Sequence, residues 1–235
     1  MKISIVIPVL NSHEVVRRQI LHFSRMNLPD TEIILVDDGS NPPIEGELDN
    51  LIILYTYDKR PWTQGLARNM GAREATGEYL LMTDIDHIIS EKVIDAVYNY
   101  TGDRMTFQRE IGVLDEDGFL RQDPKTLKEY GFDADTVRVR SHGNSFAIRR
   151  KFFFELGGYR PSKCVYGYHA EKNRGEDCYF NAALKRYVKT NPITSIKGPP
   201  LYLFPVGRYN ATGDNNPKGL FHGLSYEPTQ QPRLK

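Results

Sequence analysis

The sequence predicts an α/β fold, in which a Rossmann-like, mostly parallel central sheet is flanked by helices in a single domain. Two observations predict it. Short apolar runs rich in β-branched residues alternate with helical patterns over the first third of the chain. The strand-like runs, such as Ile-Ser-Ile-Val-Ile and Ile-Ile-Leu-Val, are almost continuously apolar, as in strands covered on both faces. At 235 residues, the chain has the length of one large α/β domain.

The predicted elements follow the strand-helix order of right-handed β-α-β units. In the first half we expect strands over 3–9, 32–36, 51–55 and 78–82, and helices over 14–26, 64–75 and 91–100. In the second half we expect a long connection over 110–135 with one short helix, a strand near 145–148, a helix over 151–156 and a helix from Glu176. Gly157-Gly158 and the polar stretch 159–174 separate the last two helices.

Charge and composition exclude several classes of protein. The formal net charge is +1, from 31 basic and 30 acidic residues, so the overall field does not attract nucleic acid. No run reaches the roughly 18 to 20 apolar residues of a transmembrane helix, and the run Ile3–Leu10 is typical of a core strand rather than a signal peptide. The two cysteines form no metal-ligand pattern. We therefore expect a cytoplasmic protein, with peripheral membrane contact at most.

Polar turns follow three of the predicted strands, at 8–11, 37–40 and 84–87. The carboxyl ends of parallel strands meet at one edge of the sheet, where such folds bind ligands. Asp84-Ile85-Asp86 is the strongest of these signals, because two carboxylates one residue apart can approach a hard cation that phosphate oxygens also hold. The plainer alternative for such a triplet is a polar turn after a strand.

Two further features support a nucleotide site at that edge. Arg68 belongs to a predicted helix, and its guanidinium can face a diphosphate; the alternative is a surface cation. Asp37 and Asp38 precede Gly39-Ser40, so one of these carboxylates can accept from a base or ribose hydroxyl. The alternative is a tight turn in which the aspartates bond local amides.

Five segments taken together are similar to the large inverting glycosyltransferase family 2, whose fold is GT-A. The resemblance extends over about residues 3–190 and rests on segments 4–11, 36–40, 67–71, 77–86 and 175–177. It implies transfer of a sugar from a nucleotide diphosphate donor, with UDP-sugar favoured, to a hydroxyl of a glycan, lipid-linked or protein acceptor. It also implies a DXD motif at Asp84 to Asp86 and a Mn²⁺ or Mg²⁺ ion on the diphosphate.

The resemblance assigns roles to individual residues. The expected nucleotide-binding residues are Pro8, Val9, Asn11, Glu14, Asp37, Asp38, Arg68 and Asp84. The metal ligands are Asp86 first and Asp84 second, with a late histidine, His222, as a third. His87, directly after the triplet, competes with His222 for that role. The catalytic base falls on Asp177, because an inverting transfer needs a carboxylate to take the acceptor proton; the alternative for this acid is a helix N-terminus that favours negative charge.

The same resemblance divides the chain. We expect a GT-A domain over 1–206, with a nucleotide-binding half over 1–100 and an acceptor-side half over 101–206. The segment 207–235, rich in Gly, Asn and Pro, is expected to be a flexible tail that closes over the donor.

Other nucleotide-binding classes fit less well. A dehydrogenase needs a glycine-rich turn after the first strand, and a P-loop hydrolase needs Gly-Lys-Ser or Gly-Lys-Thr; neither sequence is present. Two alternatives stay open, a sugar nucleotidyltransferase and a transferase-like module that binds nucleotide or glycan without turnover.

Overall fold

The computed structural model describes residues 2–58, 63–130, 142–160 and 176–204, with the backbone alone at 176 and 177. Its main feature is a seven-stranded sheet, whose strands are β1 Ile3–Val9, β2 Thr31–Asp37, β3 Leu51–Tyr55, β4 Tyr79–Met82, β6 Arg104–Thr106, β10 Phe146–Arg149 and β11 Ser195–Lys197. The strand order in the sheet is β11-β6-β10-β4-β1-β2-β3.

The sheet is mostly parallel, as predicted. Strand β1 pairs in parallel with β2 and β4, β2 with β3, and β11 with β6. Strand β10 runs antiparallel to both of its neighbours, β4 and β6. Because β10 is reversed, the residues that precede it lie at the same edge as the residues that follow β4.

Helices cover this sheet. They are α1 His13–Phe23, α2 Gln64–Glu74, α3 Glu91–Tyr98, α4 Pro124–Glu129, α5 Arg150–Glu155 and α6 Glu176–Tyr187. None of the helices in the described ranges is long and apolar enough to span a bilayer.

Two buried apolar clusters lie on the two faces of the sheet, which is why its central strands are apolar at almost every position. Alternate residues of β1 point to opposite faces, so that Ile5 and Ile7 belong to one cluster and Val6 to the other. Helix α2 lies very close to the second face at Gly71. A Cβ there would come within 2.5 Å of Cγ1 of Val6 and 3.0 Å of Cγ2 of Val36, so a larger side chain would push the helix away from the sheet.

The prediction of a long connection over 110–135 is wrong for the first part of this range. Residues 109–121 contain β7 Arg109–Ile111, β8 Val113–Leu114 and β9 Leu120–Arg121, followed by α4. Strand β7 joins a second sheet of order β5-β12-β7, with β5 His87–Ile88 and β12 Leu201–Leu203, while β8 and β9 form a hairpin. Strands of two or three residues are too short to show the alternation that identifies a strand in a sequence.

Candidate nucleotide and metal site

The loop that follows β4 holds Asp84 and Asp86, and its backbone is anchored from two sides. The buried side-chain amide of Gln19, on α1, donates to the carbonyl oxygens of Ile85 at 3.1 Å and His87 at 3.0 Å. The amide of Phe204, just after β12, donates to the carbonyl of Asp86 at 2.7 Å. These three bonds fix the direction in which the two carboxylates leave the backbone.

Asp84 lies between an arginine and a histidine, and its charge raises the pKa of His142 against the opposing effect of burial. Arg68, fully buried on α2, donates to one carboxylate oxygen and, at 2.9 Å, to the carbonyl of Thr83. Nδ1 of His142 lies 3.0 Å from the other oxygen. Burial alone would raise the pKa of Asp84, but the charges of Arg68 and His142 outweigh it and hold this pKa well below its usual range. Asp84 is therefore a carboxylate at neutral pH.

Asp86 and His87 complete the cluster. Both are buried, and Nδ1 of His87 lies 3.0 Å from Oδ1 of Asp86 and 4.0 Å from Oδ2 of Asp84. One ligand atom from each of Asp84, Asp86 and His87 lies within 4.8 Å of the others, which is close enough to surround a single cation. The carboxylates suit Mg²⁺ or Mn²⁺, and an imidazole would favour Mn²⁺.

Buried polar atoms that make no well-directed hydrogen bond collect around this loop. In the described residues, several buried side-chain nitrogen and oxygen atoms that make no well-directed hydrogen bond belong to residues at or beside the loop: Arg68 Nε, Thr83 Oγ1, His87 Nδ1, His142 Nδ1 and Ser145 Oγ. Buried polar groups are normally paired, and exceptions often mark a site for a ligand, ion or water. These atoms and the two carboxylates fit a cation and a phosphate group.

A second group of loops lies at the carboxyl ends of β1, β2 and β3. The amide of Asn11 donates to Oγ of Ser40, and Oδ1 of Asn11 accepts from the amide of Asn41, both at 2.9 Å. Asp37 accepts from the amides of Ser40 at 2.7 Å and Ile44 at 2.8 Å, one on each oxygen. The structure thus gives Asp37 the tight-turn role that the sequence left open.

Asp38 differs from its neighbour. Its carboxyl group is buried, and Oδ1 accepts from the hydroxyl groups of Thr63 and Thr56. Burial raises the pKa of Asp38 to about 7, against the opposing effect of the two threonine hydrogen bonds. Gly39 follows with a φ of 95°, and a Cβ there would lie 2.6 Å from the carbonyl oxygen of Asp58, so this turn requires glycine.

We expect this carboxyl to make stability depend on pH. Between about pH 4 and 7 the folded state keeps a proton that the unfolded chain has released, so Asp38 stabilises the fold at low pH, and this contribution is lost as the pH rises through about 7. Between pH 5 and 8, the wild type should lose about 2 to 3 kcal/mol more unfolding free energy than Asp38→Asn. Urea unfolding of both proteins at these two pH values measures the difference. If the unfolding free energies of the wild type and Asp38→Asn change by the same amount between pH 5 and 8, the pKa of Asp38 is not raised.

The other predicted residues occupy varied positions. Pro8 and Val9 are buried in β1, next to the loop in which Asn11 makes its hydrogen bonds to Ser40 and Asn41. Glu14 is on α1, where hydrogen bonds from Arg17 and Arg18 outweigh burial and lower its pKa to about 2. Asp177 is the second residue of α6, and its side chain lies outside the described part of the structure, as does all of His222. The roles of these residues stay predictions.

Sequence reasoning missed three residues of the site, Gln19, Arg109 and His142. His142 is one-third exposed and lies four residues before β10, outside the predicted helices and strands. Gln19 resembles any polar residue of an amphipathic helix until its contact with the loop is seen. Arg109, whose Nη1 lies 3.2 Å from Nε2 of His87, belongs to one of the short strands that carry no sequence pattern.

Comparison with known proteins agrees with the predicted family and fold. Residues 4–157 match the model of glycosyl transferase family 2. The chain is 30% identical to the poly(ribitol-phosphate) beta-N-acetylglucosaminyltransferase TarP of Staphylococcus aureus, over 55% of this chain and 42% of TarP. It spans 34 to 42% of the length of the first curated relatives that it matches.

Solved structures resemble this one at lower identity. S. aureus TarS 1-349 in complex with UDP matches with a TM-score of 0.51 and 16% identity, over 85% of this chain and 60% of that chain. The mannosyltransferase PcManGT of Pyrobaculum calidifontis, in complex with GDP-Man and Mn²⁺, matches with a TM-score of 0.50 and 15% identity, over 84% of this chain and 55% of that one. At such identities the likeness establishes the fold, and the expected GT-A architecture is confirmed.

Proposed function

Because the chain belongs to glycosyl transferase family 2, we propose that it transfers a sugar, with inversion, from a nucleotide diphosphate donor to a hydroxyl acceptor. A UDP-sugar is the favoured donor, and the acceptor is a glycan, a lipid-linked saccharide or a protein. A divalent cation is bound with the diphosphate, and Asp177 is the base.

The observation that supports this proposal best is the arrangement around Asp84. A buried arginine and a histidine contact this carboxylate, and Asp86 lies two residues further along the same anchored loop. Five buried polar atoms of residues at or beside this loop make no well-directed hydrogen bond. A core salt bridge made only for stability would leave fewer polar groups without partners. The same features suit a site for a diphosphate and its counterion.

The donor base belongs, in this proposal, at the loops that follow β1 and β2. Asp38 provides a buried carboxyl group that Thr56 and Thr63 hold through Oδ1, and this group accepts from a nucleobase N–H. Asn11 and Asp37 hold the surrounding turns in place. TarS, a relative in fold, binds UDP, which supports the expectation of uridine as the base.

Asp86 and Asp84 are the residues that would hold the cation, and His222 would be a third ligand. Bound there, a divalent ion neutralises charge on the leaving diphosphate. Mn²⁺ or Mg²⁺ fits these oxygen ligands, and PcManGT, another relative in fold, binds Mn²⁺. Arg68 keeps Asp84 ionised and oriented.

Asp177 takes the proton of the acceptor hydroxyl as the new glycosidic bond forms. Its location on α6 supports this role. Asn181 follows it by four positions on the same helix face, and the side-chain amide of Asn181 lies 3.5 Å from the carbonyl of Gly143, next to His142. Phe180 packs against Phe146 at a ring distance of 5.2 Å, so the first turns of α6 adjoin the start of β10 and thereby the edge that holds Asp84.

The first test is thermal unfolding with UDP, GDP, TDP or NAD, each with Mn²⁺, Mg²⁺ or EDTA. A ligand at about 100 times its dissociation constant adds about 2.7 kcal/mol of stability, which for a domain of this size raises the midpoint by roughly 5 to 10 °C. We expect this rise with UDP and Mn²⁺, and we expect EDTA to abolish it. A rise with UDP and Mn²⁺ but no transfer from any UDP-sugar would favour the non-catalytic module instead.

A further inference from the structure

We propose that Arg109 and His87 form a pair that positions Asp86, and that His87 acts as a hydrogen donor to this carboxylate rather than as a metal ligand. This inference rests on the proposed function, because it concerns the carboxylate that would hold the cation.

The tautomer of His87 follows from Arg109. A guanidinium has only N–H donors, and Nη1 of Arg109 is directed at Nε2 of His87 over 3.2 Å. Nε2 must therefore present its lone pair, and in the neutral ring the hydrogen is then on Nδ1. Nε2 of His87 is therefore an acceptor and Nδ1 is a donor, and Arg109 on β7 determines this assignment.

With its hydrogen in place, Nδ1 faces carboxylates. It lies 3.0 Å from Oδ1 of Asp86, and the ring is 1% exposed, so water does not compete for that hydrogen. The contact is not well aligned as a hydrogen bond, but the N–H dipole is still attracted to the negative oxygen at this distance. A cation bound through Nδ1 would require the hydrogen to move to Nε2, where it would oppose an N–H of Arg109.

Arg109 and His87 come from different parts of the fold. Strands β5 and β7, which carry them, both pair with β12, and the residue after β12 holds the Asp86 carbonyl. The three-stranded sheet thus supports Asp86 both through its backbone and through its side chain. Residues that orient a metal-binding carboxylate typically change metal affinity by 10- to 100-fold when they are replaced.

The variants His87→Asn and His87→Gln test whether His87 donates a hydrogen to Asp86 or binds the cation directly. The amide nitrogen of Asn reaches the position of Nδ1 and keeps a donor to Asp86, whereas that of Gln reaches the position of Nε2. We expect Mn²⁺ affinity, measured by EPR of free Mn²⁺ in the presence of UDP, to stay within about 3-fold of wild type for His87→Asn and to fall about 10- to 100-fold for His87→Gln. Arg109→Met should weaken Mn²⁺ binding as well, and the exposed Arg121→Met should not.

Equal losses in both His87 variants would show that His87 is a ligand and overturn the proposal. A second measurement needs no metal. In the metal-free protein, nitrogen NMR of labelled histidine should show the hydrogen of His87 on Nδ1 in the wild type, and a hydrogen on Nε2 would also overturn it. If the wild type binds no Mn²⁺ with any nucleotide, the proposed function fails, and the NMR result still decides whether Arg109 sets the tautomer.

Discussion

Asp177→Asn should abolish most sugar transfer while leaving donor binding intact. Asn has nearly the same shape as Asp but cannot take a proton from the acceptor hydroxyl, and a general base typically contributes about 100- to 10,000-fold to the rate. We therefore expect kcat to fall by that factor. The thermal shift with UDP and Mn²⁺ should be unchanged within error, because the proposed donor site lies at the strand ends and not on α6.

The neighbouring acid provides the matched control. Glu176→Gln removes one negative charge from the same helix N-terminus, so any effect of the helix dipole on stability should be similar in the two variants. Only Asp177→Asn should lose transfer. Retained transfer in Asp177→Asn, or equal loss in both variants, would contradict the assignment of the base.

Arg68→Met should be one of the most destabilising single substitutions in the described structure. The side chain of Arg68 is fully buried, and its removal leaves the Asp84 carboxylate, 15% exposed, with one cationic neighbour fewer. Breaking a buried ion pair from one side typically costs about 3 to 5 kcal/mol. For a domain of this size, that lowers the unfolding midpoint by roughly 6 to 20 °C, which a thermal scan or urea unfolding measures.

Two companion variants identify the cause of this loss. Arg73 belongs to the same helix but is exposed, so Arg73→Met should change the unfolding free energy by less than about 0.5 kcal/mol. In the double variant Arg68→Met with Asp84→Asn, the buried charge is absent, and part of the lost stability should return. If the double variant is no more stable than Arg68→Met alone, the loss comes from packing rather than from the unpaired carboxylate.

The sequence predicted the core of the fold well because its strands are long and apolar. Strands β1, β2 and β3 and helices α1, α2 and α3 appear within a few residues of their predicted bounds. These elements can be recognised from local sequence alone, because the hydrophobic period of a strand or a helix does not depend on what the element contacts. The short strands between 104 and 121 were not predicted, because two or three residues become a strand only when a partner pairs with them.

The site was predicted in part for a related reason. Asp84, Asp86 and Asp38 follow strands whose carboxyl ends meet at one edge, and this rule of parallel sheets holds without a structure. Asp37 and Asp38 could not be told apart from the sequence, because adjacent residues with the same side chain differ only in what surrounds them. In the structure, Asp37 bonds the amides of its own turn, while Asp38 is buried beside Thr63.

By itself, the sequence determined the fold class, the family and the edge of the sheet at which the acidic residues collect, since each depends on local patterns and on chain order. The tertiary structure alone decided which groups surround the carboxylates. His142 reaches Asp84 because β10 runs antiparallel to β4, and Arg109 reaches His87 because β5 and β7 share β12 as a neighbour. Such pairings join residues that are distant along the chain, and the long-range contacts that produce them leave no periodic pattern in the sequence.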